Sequence, residues 1–384
     1  MRLLIAGGGT GGHIYPALAV AHSLRDRPNA PDLVWLGGHR GLEADLVRDA
    51  GIRCRRLALR SLRTVDVSIH AVLDPVRLAV SVPQAAAILA IEKPAAILTT
   101  GGYVAVPTLI AARPMRIPVV LWEGNAIPGR AVRLTARWAD ALAVSYEAAG
   151  AALATAGRPA FVTGTPIRDV TAISRAEARA RLDLPADAPT VLIFGGSQAV
   201  RRFNAAVAAA LPRLVERVHV LHVTGDSGYA AALAGREQLA VDRRARYRPY
   251  PFLREDMLAA LVATDLVIGR AGSSTLAEVT ALGIPAVIVP YPHAAGHQAA
   301  NAEILAAAGA ARIVADEAFD ADALVAATGI LFDEPTRIAM AAAARSFGRP
   351  GAAHAIAALV LALAERRPLP DAAEIEAIAR GVAA

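Results

Sequence analysis

The sequence predicts an α/β protein of two domains, each a parallel sheet with helices on both faces. Three observations carry that prediction. Runs of β-forming residues alternate with helix-like runs, and they do so in two successive sets. Short glycine loops follow strand-like runs at Gly7-Gly8-Gly9-Thr10-Gly11-Gly12-His13, Thr100-Gly101-Gly102-Tyr103 and Gly195-Gly196-Ser197-Gln198. The length of 384 residues exceeds one ordinary core and suits two.

The first set has strand-like runs at 3–6, 33–36, 96–99, 119–122, 141–144 and 161–163. Helical runs lie between them at 17–25, 42–50, 82–91, 107–112 and 131–137. This is βαβ order, hence parallel pairing. Residues 164–168, Gly-Thr-Pro-Ile-Arg, interrupt the rhythm and read as a linker. A second set of strands follows at 190–194, 218–223, 247–249, 266–268, 286–289 and 312–314. Its helices fall at 202–215, 257–263, 274–281 and 298–308, then near 336–344. A break at Gly348-Arg349-Pro350-Gly351 precedes a last long helix, 352–365. The expected domains are 1–163 and 164–346, with the helix at about 347–366 returning to the first and 367–384 a peripheral tail.

A strand that passes into a helix through glycine leaves backbone N–H groups aimed outward at the helix N-terminus, a site for phosphate or another anion. Two such sites half a chain apart suggest two domains facing one phosphate-bearing substrate across a central cleft. Ligands in open α/β sheets sit at the carboxyl ends of the strands, where all three glycine loops lie.

Hydrophobic residues make up 55% of the chain and aromatics 4%, so helices should be many and close-packed. Formal net charge is +6, and Lys93 is the only lysine, so the positive charge is nearly all arginine. A GC-rich genome accounts for that bias first. The basic balance permits an anionic partner without demanding one. Nothing in it calls for nucleic acid. The single cysteine, Cys54, excludes an internal disulfide and a cysteine-rich metal site. The apolar start at residues 3–6 is too short for a secretory signal. The longest apolar run, 355–364, is about half of a membrane span. The expectation is a cytoplasmic protein, soluble or loosely attached to a membrane.

The first glycine loop formally fits a dinucleotide fingerprint. That fold wants an acid at the end of the second strand, where this chain has Leu36-Gly37-Gly38. No Gly-Lys-Ser/Thr follows any glycine run, so a P-loop is absent as well. Asp320 and Asp322 precede a helix and read as cap residues rather than a metal pair.

Five blocks then stand together. They are Gly9-Thr10-Gly11-Gly12-His13-Ile14-Tyr15-Pro16, Thr100-Gly101-Gly102-Tyr103-Val104, Trp122-Glu123-Gly124-Asn125-Ala126-Ile127-Pro128-Gly129, Gly195-Gly196-Ser197-Gln198, and Arg270-Ala271-Gly272-Ser273-Ser274-Thr275-Leu276-Ala277-Glu278. With Gln298 and Asn301, in this order, they resemble the MurG family over residues 7 to about 310. The resemblance implies a GT-B glycosyltransferase fold of two Rossmann-like domains. It implies inverting transfer of GlcNAc from UDP-GlcNAc to the MurNAc 4-hydroxyl of undecaprenyl-pyrophosphoryl-MurNAc-pentapeptide (lipid I), giving lipid II for peptidoglycan. The chain departs from the family at Gly124, where Gln is common, and at Ala199-Val200, where Gly-Ala is common.

The site residues follow from these blocks. Gly195, Gly196, Ser197 and Gln198 would receive the UDP diphosphate and stabilise leaving-group charge without a metal. Glu278 would accept hydrogen bonds from the ribose hydroxyls, and Gln298 would meet the GlcNAc hydroxyls. Arg168 could reach phosphate. Phe252 and Leu253 lie where the family binds uracil, and Gly272, Thr275 and Leu276 complete the donor set. The resemblance places Thr10, Gly11, Gly12 and Asn125 against donor and acceptor both, and Tyr103 against the acceptor.

His13 and Glu123 are alternative catalytic bases, and His13 could equally make a diphosphate contact or a helix-start hydrogen bond. His293 and His297 are spaced i, i+4, but Pro292 and Gly296 mark a loop and no third ligand accompanies them, so no metal is assigned. No cofactor is required beyond the donor substrate, and nothing in the sequence indicates magnesium.

Residues 60–82 mix Arg60, Arg63 and Arg77 with Val72, Leu73, Leu78, Val80 and Val82, interrupted by Pro75 and Pro83. Such a segment suits an anionic headgroup layer or an ordinary sheet-packed helix. The lipid acceptor implied by the resemblance favours peripheral contact at the cytoplasmic face of the cell membrane, with Pro114 and Met115 nearby. Other proteins of cell-wall synthesis are candidate partners. The alternatives are another GT-B UDP-sugar transferase with a lipid acceptor, a nucleotide-sugar epimerase, and a non-catalytic nucleotide-sugar-binding protein.

Overall fold

The computed structural model describes residues 1–9, 11–38, 43–59, 70–196, 201–253, 256–294 and 296–382. The chain divides into two compact units, Met1–Arg168 with Arg349–Ala384, and Asp169–Gly348.

Unit one runs β1 (Arg2–Ala6), α1 (Gly11–Arg25), β2 (Asp32–Gly38), α2 (Glu43–Asp49), β3 (Arg53–Leu57), α3 (His70–Glu92), β4 (Ala96–Thr99), α4 (Gly102–Ala112), β5 (Val119–Glu123), α5 (Arg130–Thr135), β6 (Ala141–Val144), α6 (Glu147–Ala152) and β7 (Ala160–Val162). The strands form one parallel sheet in the order β3-β2-β1-β4-β5-β6-β7. Its central strands are apolar on both faces because helices cover both. Leu3, Ile5, Trp35 and Leu98 enter one core, shared with Val20 and Leu24 of α1. Leu4, Ala6, Leu36 and Ile97 enter the other, shared with Leu89 of α3 and Leu109 of α4.

β3 carries no strand signal in the sequence, since Arg53, Arg55 and Arg56 are exposed and only Leu57 is buried. Among the described residues it pairs with β2 alone, at the edge of the sheet. α3 is far longer than the expected 82–91 and passes through Pro83. Proline costs a helix about 3 kcal/mol, and burial of Ala85 and Leu89 against α4 opposes that cost.

Residues 164–167, expected to open the second domain, are buried on unit one. Trp122 Nε1 donates to the Gly164 carbonyl at 3.1 Å, and the Ser145 and Thr165 hydroxyls pair at 2.7 Å. The crossing therefore falls after Arg168.

Unit two runs α7 (Arg175–Arg181), β8 (Thr190–Phe194), α8 (Arg201–Leu214), β9 (His219–Val223), α9 (Asp226–Glu237), α10 (Val241–Arg244), β10 (Tyr247–Tyr250), α11 (Met257–Ala263), β11 (Leu266–Gly269), α12 (Ser273–Leu282), β12 (Ala286–Ile288), α13 (His297–Ala307), β13 (Ala311–Ile313), α14 (Ala321–Thr328) and α15 (Glu334–Phe347). Its sheet is also parallel, ordered β10-β9-β8-β11-β12-β13. Val191, Ile193, Phe203, Val207, Leu211 and Phe319 build its core. Asp320 caps α14 by accepting from Ala323 N at 2.9 Å, and Asp322 pairs with Arg213 at 2.5 Å.

The chain returns to unit one as α16 (Ala352–Ala364), whose Ile356, Leu359 and Val360 are buried with residues of α1, β4 and β5. The tail is not peripheral. It forms α17 (Ala372–Arg380), capped by Asp371 and burying Ile375 and Ala379 in the same core. A nine-residue helix with two buried residues gives too faint a periodic signal for its sequence to announce it. Among the described residues, one stretch is long and apolar enough by composition to cross a membrane, Glu334–Ala364, and 61% of its apolar window is buried. It comprises α15 and α16, broken at Gly348–Gly351.

Candidate active site

In unit one the strand order reverses between β1 and β4, the position where open α/β sheets bind ligands. The loops after those two strands interlock there. His13, in the first turn of α1, has Nδ1 2.6 Å from the Thr100 carbonyl, and Thr100 Oγ1 donates to the His13 carbonyl at 3.0 Å. A carbonyl only accepts, so Nδ1 carries the hydrogen and the neutral ring keeps its lone pair on Nε2.

Among the described residues nothing bonds to that nitrogen. Burial holds the imidazole below its usual pKa; the Thr100 carbonyl and the Glu123 charge oppose this more weakly. The ring lies against Gly102, whose φ is +70°. A Cβ there would crowd Gly8 O at 3.3 Å and pack on the His13 ring at 3.5 Å, and the left-handed backbone would strain any side chain, so glycine suits this position.

Glu123 ends β5 and is 4% exposed. Its Oε1 accepts from Asn125 N (2.8 Å) and Asn125 Nδ2 (3.1 Å), and its Oε2 accepts from Gly129 N (2.8 Å). Both oxygens thus hold the loop that leads into α5. The arrangement makes Glu123 a loop organiser with both oxygens committed, whereas His13 keeps an available lone pair on Nε2. Asn125 is half-buried in that loop. Tyr103, at the start of α4, sets its hydroxyl over the end of β2, where a Cβ on Gly38 would fall 2.3 Å away. Gly11 and Gly12 open α1. Thr10 lies outside the described residues.

In unit two the reversal lies between β8 and β11. Gly195 and Gly196 follow β8; Gly196 has φ +71°, and among the described residues an added Cβ there would meet nothing within 4 Å. Ser197 and Gln198 lie outside the described residues. Exposed Arg201 and Arg202 occupy the first turn of α8. Cations there oppose the helix dipole and favour an anion beside it. Gly272 caps α12 and Thr275 lies in its first turn, while Glu278 is 7% exposed. Leu276 and Leu253 are buried side chains, so only their backbone can meet a ligand; Phe252, 46% exposed, offers a ring face. Arg168 is exposed and ends unit one, rather than lying in the second domain as expected.

Gln298 differs from its expected role of donor and acceptor together. Its Oε1 accepts from Ala271 N (3.2 Å) and Tyr291 N (3.0 Å), which commits the oxygen and leaves the NH2 as the group that can donate elsewhere. Asn301, fully buried, donates to the Ala271 carbonyl at 3.3 Å. The first turns of α13 therefore clamp both polar groups of the peptide at Ala271.

Three residues escaped the sequence reading. Thr100 sits inside a recognised block but carries no role until His13 meets it. Trp35 donates to the Gly7 carbonyl at 2.9 Å and is fully buried. Asp316, in a polar stretch, pairs with Arg270. No motif marks the latter two. Arg60 and Arg63 lie outside the described residues, as do the side chains of Val72, Leu73 and Pro75. Among the described residues no group of three or more His, Cys, Asp or Glu could hold a metal ion.

Two family models match the chain: the glycosyltransferase family 28 N-terminal domain over residues 3–144 and its C-terminal domain over 190–356. A UDP-N-acetylglucosamine–N-acetylmuramyl-(pentapeptide) pyrophosphoryl-undecaprenol N-acetylglucosamine transferase of Lactiplantibacillus plantarum is 37% identical, over 92% of this chain and 97% of its own length. The protein of that name in Corynebacterium diphtheriae is 38% identical, over 94% and 97%. Among solved structures, Acinetobacter baumannii MurG superposes with TM-score 0.72 at 29% identity, covering 94% of this chain and 99% of that one. The calicheamicin glycosyltransferase CalG4, at 17% identity and TM-score 0.64, shares the fold.

Proposed function

The chain belongs to the MurG family of N-acetylglucosamine transferases, and from that premise we propose that it moves GlcNAc from UDP-GlcNAc to the MurNAc 4-hydroxyl of lipid I, forming lipid II. The observation that carries this is end-to-end similarity to transferases of that name, 37% over 92% of the chain. The GT-B fold agrees with it.

The chemistry is one displacement. The acceptor oxygen attacks the anomeric carbon as the bond to the UDP oxygen breaks; that oxygen keeps the electron pair, and the hydroxyl proton passes to His13 Nε2. Inversion follows from a single displacement. The hydrogen bond to Thr100 fixes the tautomer that can accept this proton. Charge on the departing diphosphate is met by the glycine loop after β8, the N-terminus of α8 and Arg201. Glu278 takes the ribose, Phe252 the uracil face and the Gln298 NH2 the sugar. Tyr103 and the loop held by Glu123 position the acceptor. The scheme assigns no resident cofactor, so transfer should survive excess chelator.

Membrane contact is assigned to the helices over one face of the first sheet. α3, α4 and α5 and their flanks expose Val80, Ile110, Met115 and Leu134 beside Arg113, Arg116, Arg130 and Arg137. Apolar side chains ringed by arginine suit an anionic headgroup layer on the cytoplasmic side, where the nucleotide sugar is found.

The direct test is radiolabel transfer from UDP-GlcNAc to a short-chain synthetic lipid I, with UDP-galactose as control. Label in a lipid II-sized product from UDP-GlcNAc alone supports the assignment. Transfer from UDP-galactose in its place overturns it.

A further inference from the structure

A buried ion network ties together the turns that carry Gln298. Arg270 follows β11, and only 7% of its side chain is exposed. Its Nη1 donates to Asp316 Oδ1 at 2.6 Å and to the Val289 carbonyl at 3.1 Å, with the Pro290 carbonyl at 3.4 Å. The guanidinium lies between the rings of Phe203 (4.9 Å) and Tyr291 (5.3 Å). The second oxygen of Asp316 faces Arg202 Nε at 3.1 Å, in the first turn of α8. One carboxylate therefore joins the end of β11, the turn after β12 and the start of α8.

That turn matters because the next residue, Tyr291, gives its N–H to Gln298 Oε1, and Arg270 immediately precedes Ala271, which gives the other N–H. These two amides decide which way the carboxamide faces. If either turn shifts, Gln298 can flip or rotate, and its NH2 no longer points to one place. A buried guanidinium without its carboxylate is costly to leave in place, so loss of Asp316 would move Arg270 and with it both turns.

We propose that Asp316 is a positioning residue for recognition of the donor's sugar. Through Arg270 it holds the two backbone amides that orient Gln298. The inference rests on the assignment of Gln298 to the sugar. The uridine and ribose contacts are assigned elsewhere, to Phe252 and Glu278, and Arg202 released from Asp316 would add positive charge beside the diphosphate that UDP and UDP-GlcNAc share, so the loss should fall on the sugar.

The test is calorimetric affinity of the full chain for UDP-GlcNAc, UDP-GalNAc and UDP, with wild type, Asp316→Asn and Asp316→Glu. Asp316→Asn should weaken UDP-GlcNAc about fivefold, the size of one oriented hydrogen bond, and narrow the preference over UDP-GalNAc. UDP affinity should stay within about twofold. Asp316→Glu should regain part of the loss. If Asp316→Asn does not fold, Arg270→Lys keeps a cation for Asp316 but cannot also span the carbonyls of Val289 and Pro290, and it should show the same sugar-specific loss. Equal weakening of UDP and UDP-GlcNAc, or no change in either, overturns the inference. Because the readout is binding, it is separable from the transferase assignment. A wild type that binds the donor sugar but transfers nothing sinks that assignment and leaves this one standing.

Discussion

Replacing His13 by Asn separates its structural hydrogen bond from its proposed chemistry. The Asn amide N–H can occupy the place of Nδ1–H and still donate to the Thr100 carbonyl, now 2.6 Å from the ring. It offers nothing in the place of Nε2. Stability should therefore fall by less than about 1 kcal/mol, because the hydrogen bond survives. Loss of a general base costs about 10²- to 10⁴-fold in kcat.

The pH profile adds an independent check. Burial lowers the His13 pKa from 6.5. Even at 6.5 the ring would be about three-quarters neutral at pH 7, so the wild-type rate should change little above neutrality. It should decline on the acid side, at a pH below 6.5, as the ring gains a proton. Steady-state transfer to short-chain lipid I from pH 5 to 9, with wild type and the Asn variant and saturating donor, measures this. An Asn variant that keeps kcat within about threefold, or one with the wild-type acid limb intact, removes His13 as the base.

Glu123→Gln should cost about 1–3 kcal/mol, since a carboxamide cannot accept from Asn125 and Gly129 with both of its polar atoms. It should also raise acceptor KM more than donor KM; a pure kcat loss at unchanged stability would make Glu123 the base instead. Burial depresses the His222 pKa to about 3 in the folded state, so the unfolded chain binds more protons below pH 6.5 and stability falls as pH drops from 6.5 toward 3. By pH 4.5 the loss should reach about 2–3 kcal/mol. Urea midpoints should decline less steeply with acid in His222→Phe, and equal slopes would refute the assignment. Glu92, with 1% of its side chain exposed, faces Arg2, Arg53 and Arg55 at 2.6–3.2 Å. Glu92→Gln should destabilise by about 1–3 kcal/mol, tempered because the arginines reach solvent, and an unchanged thermal midpoint would show the cluster to be inert.

The alternation of apolar and helical runs was enough to predict two parallel sheets, because a strand buried on both faces must be apolar at every position, as Leu3 to Ala6 is. The glycine loops were equally legible, since they are contiguous and chemically distinctive. β3 and α17 were not, as an arginine-rich edge strand and a short docked helix leave no clear period. What the tertiary structure alone decided is which atoms of His13, Glu123 and Gln298 are committed. The tautomer of His13 depends on a carbonyl 87 residues away, and the facing of Gln298 on an amide 27 residues away. Asp316 acquires a role only through Arg270, 46 positions before it. Single polar contacts across such separations have no periodicity and no local motif, so they exist only once the sheets bring the loops together.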